Sequence, residues 1–127
     1  GQTTPIGTFR TPFKAAWHPL QGCWGQYCTQ IVGNYLFHSS PYNSPNKNDL
    51  SYRLYNQLGT VCSHGCVRLT VADAKWIYDN CPLGTTVKLY NASSLPVPKP
   101  SAPWLDITSP NRGWDPTDPD PANPWRQ

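Results

Sequence analysis

The chain has 127 residues, ten Lys and Arg against seven acids, a net charge of +3 and no Met. That length allows one domain with a real core and excludes two. All seven acids are Asp, which excludes a glutamate general base. The absence of a basic run interleaved with aromatics argues against a nucleic-acid partner, and no apolar stretch approaches the ~20 residues of a membrane-spanning helix.

Six Trp, seven Tyr and three Phe supply bulky core material, and Thr, Val, Gly and Pro outnumber helix formers. This balance predicts a mostly-β domain with one or two short helices. Residues 1–95 carry seven basic residues and three Asp, and residues 96–127 carry three and four. The globular part is therefore modestly basic, which suits either an ordinary surface or a polyanionic matrix. Five cysteines point to an oxidising, exported setting, and the odd count leaves at least one unpaired within the chain. The chain starts at Gly1 and reads as a mature or trimmed piece, without leader or anchor.

In chain order, Ile6–Thr11 reads as a strand following Thr4-Pro5. His18, before Pro19, reads as a surface or structural residue. Gln26–Val32 and Asn34–His38 read as strands around the tight reversal Gly33-Asn34. Residues 39–49, rich in Ser, Pro and Asn, read as a long loop. Thr70–Asn80 is a helix, N-capped by Thr70 with Asp73 three residues on. Val71, Ala74, Ile77, Tyr78 and Cys81 form its apolar face. Pro82 stops it, and Gly84 turns the chain into a last strand, Thr85–Tyr90. Residues 96–127 hold nine of the fifteen prolines, so they form neither helix nor central strand. They form a Pro/Trp-rich extension, either pinned to the domain by its tryptophans or running as a disordered linker.

The chemistry concentrates in Ser63-His64-Gly65-Cys66-Val67-Arg68-Leu69. A cysteine nucleophile needs a base, an orienter for that base and oxyanion donors. Glycine beside the cysteine lets backbone N–H groups approach an oxyanion closely. Either His38 or His64 is placed to be the base; His38 ends the apolar run Tyr35-Leu36-Phe37 and opens a polar loop. Cys62 and Cys66 with His64 lack zinc-site spacing, and no metal or cofactor is expected.

Ser63–Arg68 resembles the Ser/Thr-His-Gly-Cys motif of the L,D-transpeptidases (YkuD domain family). Phe37-His38-Ser39-Ser40-Pro41-Tyr42 is similar to the family's strand-ending His-Ser segment. Thr4-Pro5-Ile6-Gly7-Thr8-Phe9 is similar to its N-terminal Thr-Pro-x-Gly-x-Phe motif, and Asp73-Ala74 and Gly84–Val87 match its helix and last strand. The resemblance covers about residues 3–90 and implies an L,D-transpeptidase-type β-sandwich. It implies Cys66 as nucleophile and His38 as base, with the Ser39 carbonyl orienting His38. Gly65 and Cys66 amides, with His64, would form the oxyanion hole. Arg68 would position the donor or support the cysteine loop, and Ser63 and Tyr42 would contact the donor; Trp24, Tyr27, Tyr35 and Tyr42 would either line the cleft or pack in the core.

The resemblance further implies an extracytoplasmic enzyme of the cell wall or periplasm. It would cross-link peptidoglycan stem peptides 3→3 with release of D-alanine, be acylated by carbapenem-type β-lactams, and act as a monomer. The alternatives are an L,D-carboxypeptidase using the same site and a non-catalytic, disulfide-stapled wall-binding module. Two departures from the family pattern stand out: the 24 residues between His38 and Ser63 exceed the usual gap, and Cys62 is an extra thiol beside the motif. A longer loop is cheap, since each doubling costs only ~0.6 kcal/mol. With Cys66 kept as nucleophile, the other four cysteines allow three pairings. Cys23–Cys28 and Cys62–Cys81 are the favoured set.

Overall fold

A computed structural model describes residues 6–58, 66–90 and 102–126. The chain forms β1 (Gly7–Arg10), β2 (Lys14–Pro19), β3 (Trp24–Val32), β4 (Tyr35–Ser39), the single turn α1 (Tyr52–Tyr55), β5 (Val67–Leu69), α2 (Val71–Asn80) and β6 (Thr86–Leu89), with a 3-10 turn at Pro124–Arg126. Strands β1 and β6 pair antiparallel as one small sheet, and the second sheet has the order β2-β3-β4-β5. The described residues are thus mostly strand, in two sheets, with two helices. Among the described residues no helix is long and apolar enough to cross a membrane.

Strand β2 was not expected from the sequence. Lys14-Ala15-Ala16-Trp17-His18-Pro19 lacks apolar alternation and ends in a proline. It sits at the sheet edge, where a proline costs no ladder bond. The β3–β4 hairpin turns at Gly33, whose φ of 55° is open to glycine without steric cost. Strand β5 joins β4 in parallel, with His38 opposite Arg68. A parallel neighbour cannot follow through a tight hairpin. The long connection between His38 and Cys66 is therefore a topological need as well as a loop.

Helix α2 packs across β3 and β4 through buried Val71 and Ala74. Three of its first N–H groups, which no helical turn can satisfy, find acceptors in side chains. Asp73 N–H donates to the Thr70 hydroxyl at 3.3 Å, as the capping sequence predicts. Val71 N–H donates to Asp115 Oδ2 at 3.0 Å, and Ala72 N–H to Thr117 Oγ1 at 3.0 Å. Two of the three caps thus come from the far end of the chain.

That far end is tied to the domain throughout. Leu105 belongs to the buried cluster of Tyr42, Leu50, Tyr55 and Val71. The Asn56 side chain donates to the Leu105 carbonyl at 2.8 Å and accepts its N–H at 3.1 Å, as a strand neighbour would. Leu50 N–H donates to the Gly113 carbonyl at 2.9 Å, and Lys47 pairs with Asp120 at 2.8 Å. Buried Asn123 donates to the Asp115 and Asp118 carbonyls at 3.0 and 2.9 Å. Trp125 packs against the cluster and donates to Asn111 and Trp114 carbonyls. The anchors are Leu105, Asp115, Asn123 and Trp125; Trp104 is 77% exposed and pins nothing. The boundary expected at residues 95 and 96 lies outside the described residues.

Candidate active site

His38 is the fourth residue of β4 and Arg68 the second of β5, and they face each other across the parallel ladder. Cys66 lies one residue before β5, so the same register sets it beside Leu36. Leu36 and His38 are two apart on one strand and share a face, which puts Cys66, Leu36, His38 and Arg68 on one side of the sheet. Strand rise and spacing place the Cys66 and His38 Cα atoms about 8 Å apart, within side-chain reach. Both line a cleft of about 630 Å³ together with Arg68, His18, Gln30 and Cys23.

His38 is only 2% exposed. Its Nδ1 lies 2.5 Å from the Ser39 carbonyl oxygen. A carbonyl only accepts, so Nδ1 carries the proton and the Nε2 lone pair remains for a thiol proton. Burial lowers the His38 pKa to about 4; the Ser39 carbonyl opposes this, while the Arg68 and His18 charges add to it. The imidazole is therefore neutral near pH 7, the state a base requires. Ser39 also locks the strand end: its hydroxyl accepts the Gln26 N–H at 2.9 Å and donates to the Ser40 carbonyl at 2.9 Å. The Cys66 thiol, half-buried, donates to the Asn34 carbonyl at 3.2 Å. Transfer to His38 requires the thiol to turn from that carbonyl, as catalytic contacts often tighten only with substrate bound.

Gly25 makes this packing possible. A Cβ there would stand 2.9 Å from the Cys28 Sγ and 3.1 Å from the His38 Cβ. Cys28 consequently sits buried beneath the cleft, its pKa pushed up to about 12 by burial and by the nearby Cys66. It stays a thiol at working pH, too weakly ionised to compete as a nucleophile.

Several expected site residues fall elsewhere. The Cys23–Cys28 bridge is not formed: both are free thiols. The backbone at Tyr27 takes a left-handed φ of 52°, and the Cys28 sulfur meets Gly25 while Cys23 lines the cleft. Cys81 is also a free thiol, and its expected partner Cys62 lies outside the described residues, as do Ser63, His64 and Gly65. Tyr42 does not line the cleft. It is fully buried in the core, bridged to Trp24 and Leu50 and edge-on to Trp17 at 5.0 Å. Burial, then the charges of Asp115 and Asp118, raise its phenol pKa. Trp24 and Tyr27 likewise pack against the core cluster. Conversely, His18, read from the sequence as surface or structural, lines the cleft. Recognising β2 as an edge strand was the signal that would have found it.

Residues 1–89 match the YkuD family, described as the L,D-transpeptidase catalytic domain. A Bacillus subtilis (strain 168) protein named "Putative L,D-transpeptidase YciB" is 38% identical over 91 residues, covering 66% of this chain and 45% of its own length. The chain thus spans less than half of that curated relative. Among solved structures, a fused Zn-dependent amidase/peptidase/peptidoglycan-binding domain-containing protein from Clostridium acetobutylicum ATCC 824 is 36% identical, with a TM-score of 0.51 over 70% of this chain and 35% of that one. An L,D-transpeptidase from Stackebrandtia nassauensis, at 22% identity and a TM-score of 0.54 over 72% of this chain and 40% of its own, shares the fold. The match across residues 1–89, which takes in both the strand-ending histidine and the cysteine motif, places the chain in the L,D-transpeptidase (YkuD) catalytic-domain family.

Proposed function

We propose that the chain is a cysteine acyltransferase acting on peptidoglycan stem peptides, with Cys66 as nucleophile and His38 as base. The observation that carries this is the neutral, buried His38. Its Nδ1–H is held by the Ser39 carbonyl on the sheet face and cleft that Cys66 shares. In the first half-reaction His38 Nε2 takes the thiol proton while sulfur attacks the amide carbonyl before the terminal D-alanine. The Cys66 amide, with that of Gly65, binds the oxyanion. The C–N bond breaks as His38 returns the proton to the leaving amine, and a thioester remains. In the second half-reaction a side-chain amine of another stem attacks the thioester, loses its proton to His38, and the thiol is restored. Burial of His38 favours this order, because the charged imidazolium forms only beside a thiolate or oxyanion. The product is a 3→3 cross-link, made outside the cytoplasm by a monomer, and a carbapenem would acylate the same sulfur.

Intact-mass spectrometry after exposure to a stem tetrapeptide or a carbapenem tests this reading. The expected adduct is absent in Cys66→Ala. An adduct that persists in that variant sinks the assignment. Release of free tripeptide with no amine transfer would make the enzyme an L,D-carboxypeptidase.

A further inference from the structure

One row of the sheet forms a trough at the nucleophile. Gln30 pairs with Leu36, and the β4–β5 register sets Cys66 on the other side of Leu36, so all three share one face. Leu36 is buried and makes an apolar floor. Gln30 and Cys66 are the walls, their Cα atoms two strand spacings, or about 10 Å, apart. One extended peptide fits between them, a strand spacing from each. The Gly33-Asn34 turn holds both walls. Gln30 Nε2 donates to the Gly33 carbonyl at 2.6 Å, and the Cys66 thiol to the Asn34 carbonyl at 3.2 Å. A carbonyl only accepts, so the Gln30 nitrogen faces Gly33 and Oε1 is left as the open acceptor. Among the described residues no donor meets that oxygen, and Gln30 lines the cleft with Leu36, His38 and Cys66.

We propose that Gln30 Oε1 accepts the N–H of the scissile amide, and later that of the incoming amine. This rests on the acyl-transfer reading. A peptide bond is planar and trans, so its N–H points opposite to its C=O. The Cys66 amide takes the carbonyl oxygen on one wall. The N–H of the same bond therefore points to the other wall, where Gln30 stands. An acceptor on that N–H keeps the nitrogen's developing lone pair for the His38 proton. The incoming amine reaches the thioester through the position the leaving amine vacates, so Gln30 orients it as well. The acceptor is neutral. A carboxylate in its place would hold the amine as an ammonium ion, which cannot attack. The tie to Gly33 fixes the Gln30 amide before substrate arrives, which lowers the ordering cost of binding.

Binding to the Cys66→Ala protein tests this without chemistry. A stem tetrapeptide ending in D-alanine is compared by calorimetric titration with the analogue ending in D-lactate, whose ester oxygen replaces the scissile N–H. The amide is expected to bind about three- to tenfold more tightly. Adding Gln30→Met, which keeps the length of the side chain and removes its acceptor, is expected to weaken the amide by that factor and leave the ester unchanged. Circular dichroism confirms that the variant is folded, and the amide–ester comparison itself needs no substitution of Gln30. Equal affinity for amide and ester, binding of neither at millimolar concentration, or equal weakening of both in Gln30→Met overturns the assignment. In the chain that keeps Cys66, Gln30→Met should slow acylation by the amide donor about tenfold and by the ester donor less than twofold; equal slowing also overturns it. Acylation of wild-type Cys66 is measured separately, so failure of the Gln30 contact and failure of the acyl-transfer reading give different results.

Discussion

The cleft and the C-terminal segment both bury ionisable groups, and they do so with opposite sign. In the cleft, burial, aided by the Arg68 charge, lowers the His38 pKa to about 4. In the segment, burial raises the Asp115 carboxyl above its usual value, against hydrogen bonds from Thr117 and Val71. Asp118 is likewise raised by burial. Among the described residues neither His38 nor Asp115 forms a salt bridge. Each is held by polar contacts instead: His38 by one carbonyl, Asp115 by Val71 N–H and the Thr117 N–H and hydroxyl. The lesson is that the same physical cost is used for two ends. The cleft keeps a proton acceptor ready, while the segment pins a helix.

The comparison breaks most visibly on His38→Gln. Acylation of Cys66 is expected to slow by about 10²–10⁴, with the urea midpoint at pH 7 nearly unchanged. A slowing of less than tenfold would return the base assignment to His64. Leu105→Ala should do the reverse, lowering stability by about 2–5 kcal/mol while folded protein keeps its acylation rate; a stability loss under 1 kcal/mol (about one small exposed contact) would mean that the segment is peripheral.

Acid sharpens the contrast. The His38 pKa is depressed on folding, so its stabilising contribution is full above the unfolded value of 6.5 and is lost as pH falls towards 4. The loss is on the order of 3 kcal/mol. Asp115 and Asp118 have raised values, so their contribution is fullest at low pH and is lost as pH rises through their folded pKa. Urea unfolding at pH 4 and pH 7 should therefore show wild type losing more stability on acidification than His38→Gln does. Parallel behaviour of the two proteins would refute the buried, neutral imidazole.

Asp115→Ala is expected to cost about 2 kcal/mol, since it leaves the Val71 N–H buried without its acceptor. Hydrogen exchange should localise the loss to the first turn of α2. Gly25→Ala is expected to cost about 1–3 kcal/mol by overpacking, and to shift the pH profile of acylation by displacing His38. An unchanged profile would show that the site tolerates a side chain there.

What could be read from the sequence was local. Thr70 and Asp73 announce the start of α2 within four residues, and Gly33 and Gly84 announce their turns. Cys66, His38 and Ser39 stood out in the sequence because they sit in two short motifs, and the structure brings Cys66 and His38 to one cleft. What was hidden depends on distant chain. Nothing near Val71 says that Asp115 accepts its N–H from 44 residues away. Tyr42 followed the histidine motif closely enough to suggest substrate contact, yet its bridges to Trp24 and Leu50 turn it into the core. Cys23 and Cys28 are near in sequence, but the left-handed backbone at Tyr27 lies between them. His18 was missed because an edge strand carries no strict alternation.

The parallel pairing of β4 with β5 has a consequence for how the molecule is made. The ladder closes across the whole 39–66 connection, β1 waits for β6 some eighty residues later in chain order, and α2 waits for Asp115. Such long-range closure makes for slow, all-at-once folding. A chain emerging from its N-terminus first cannot assemble piece by piece. The cap of α2 is completed only once Asp115, 44 residues beyond Val71, has appeared.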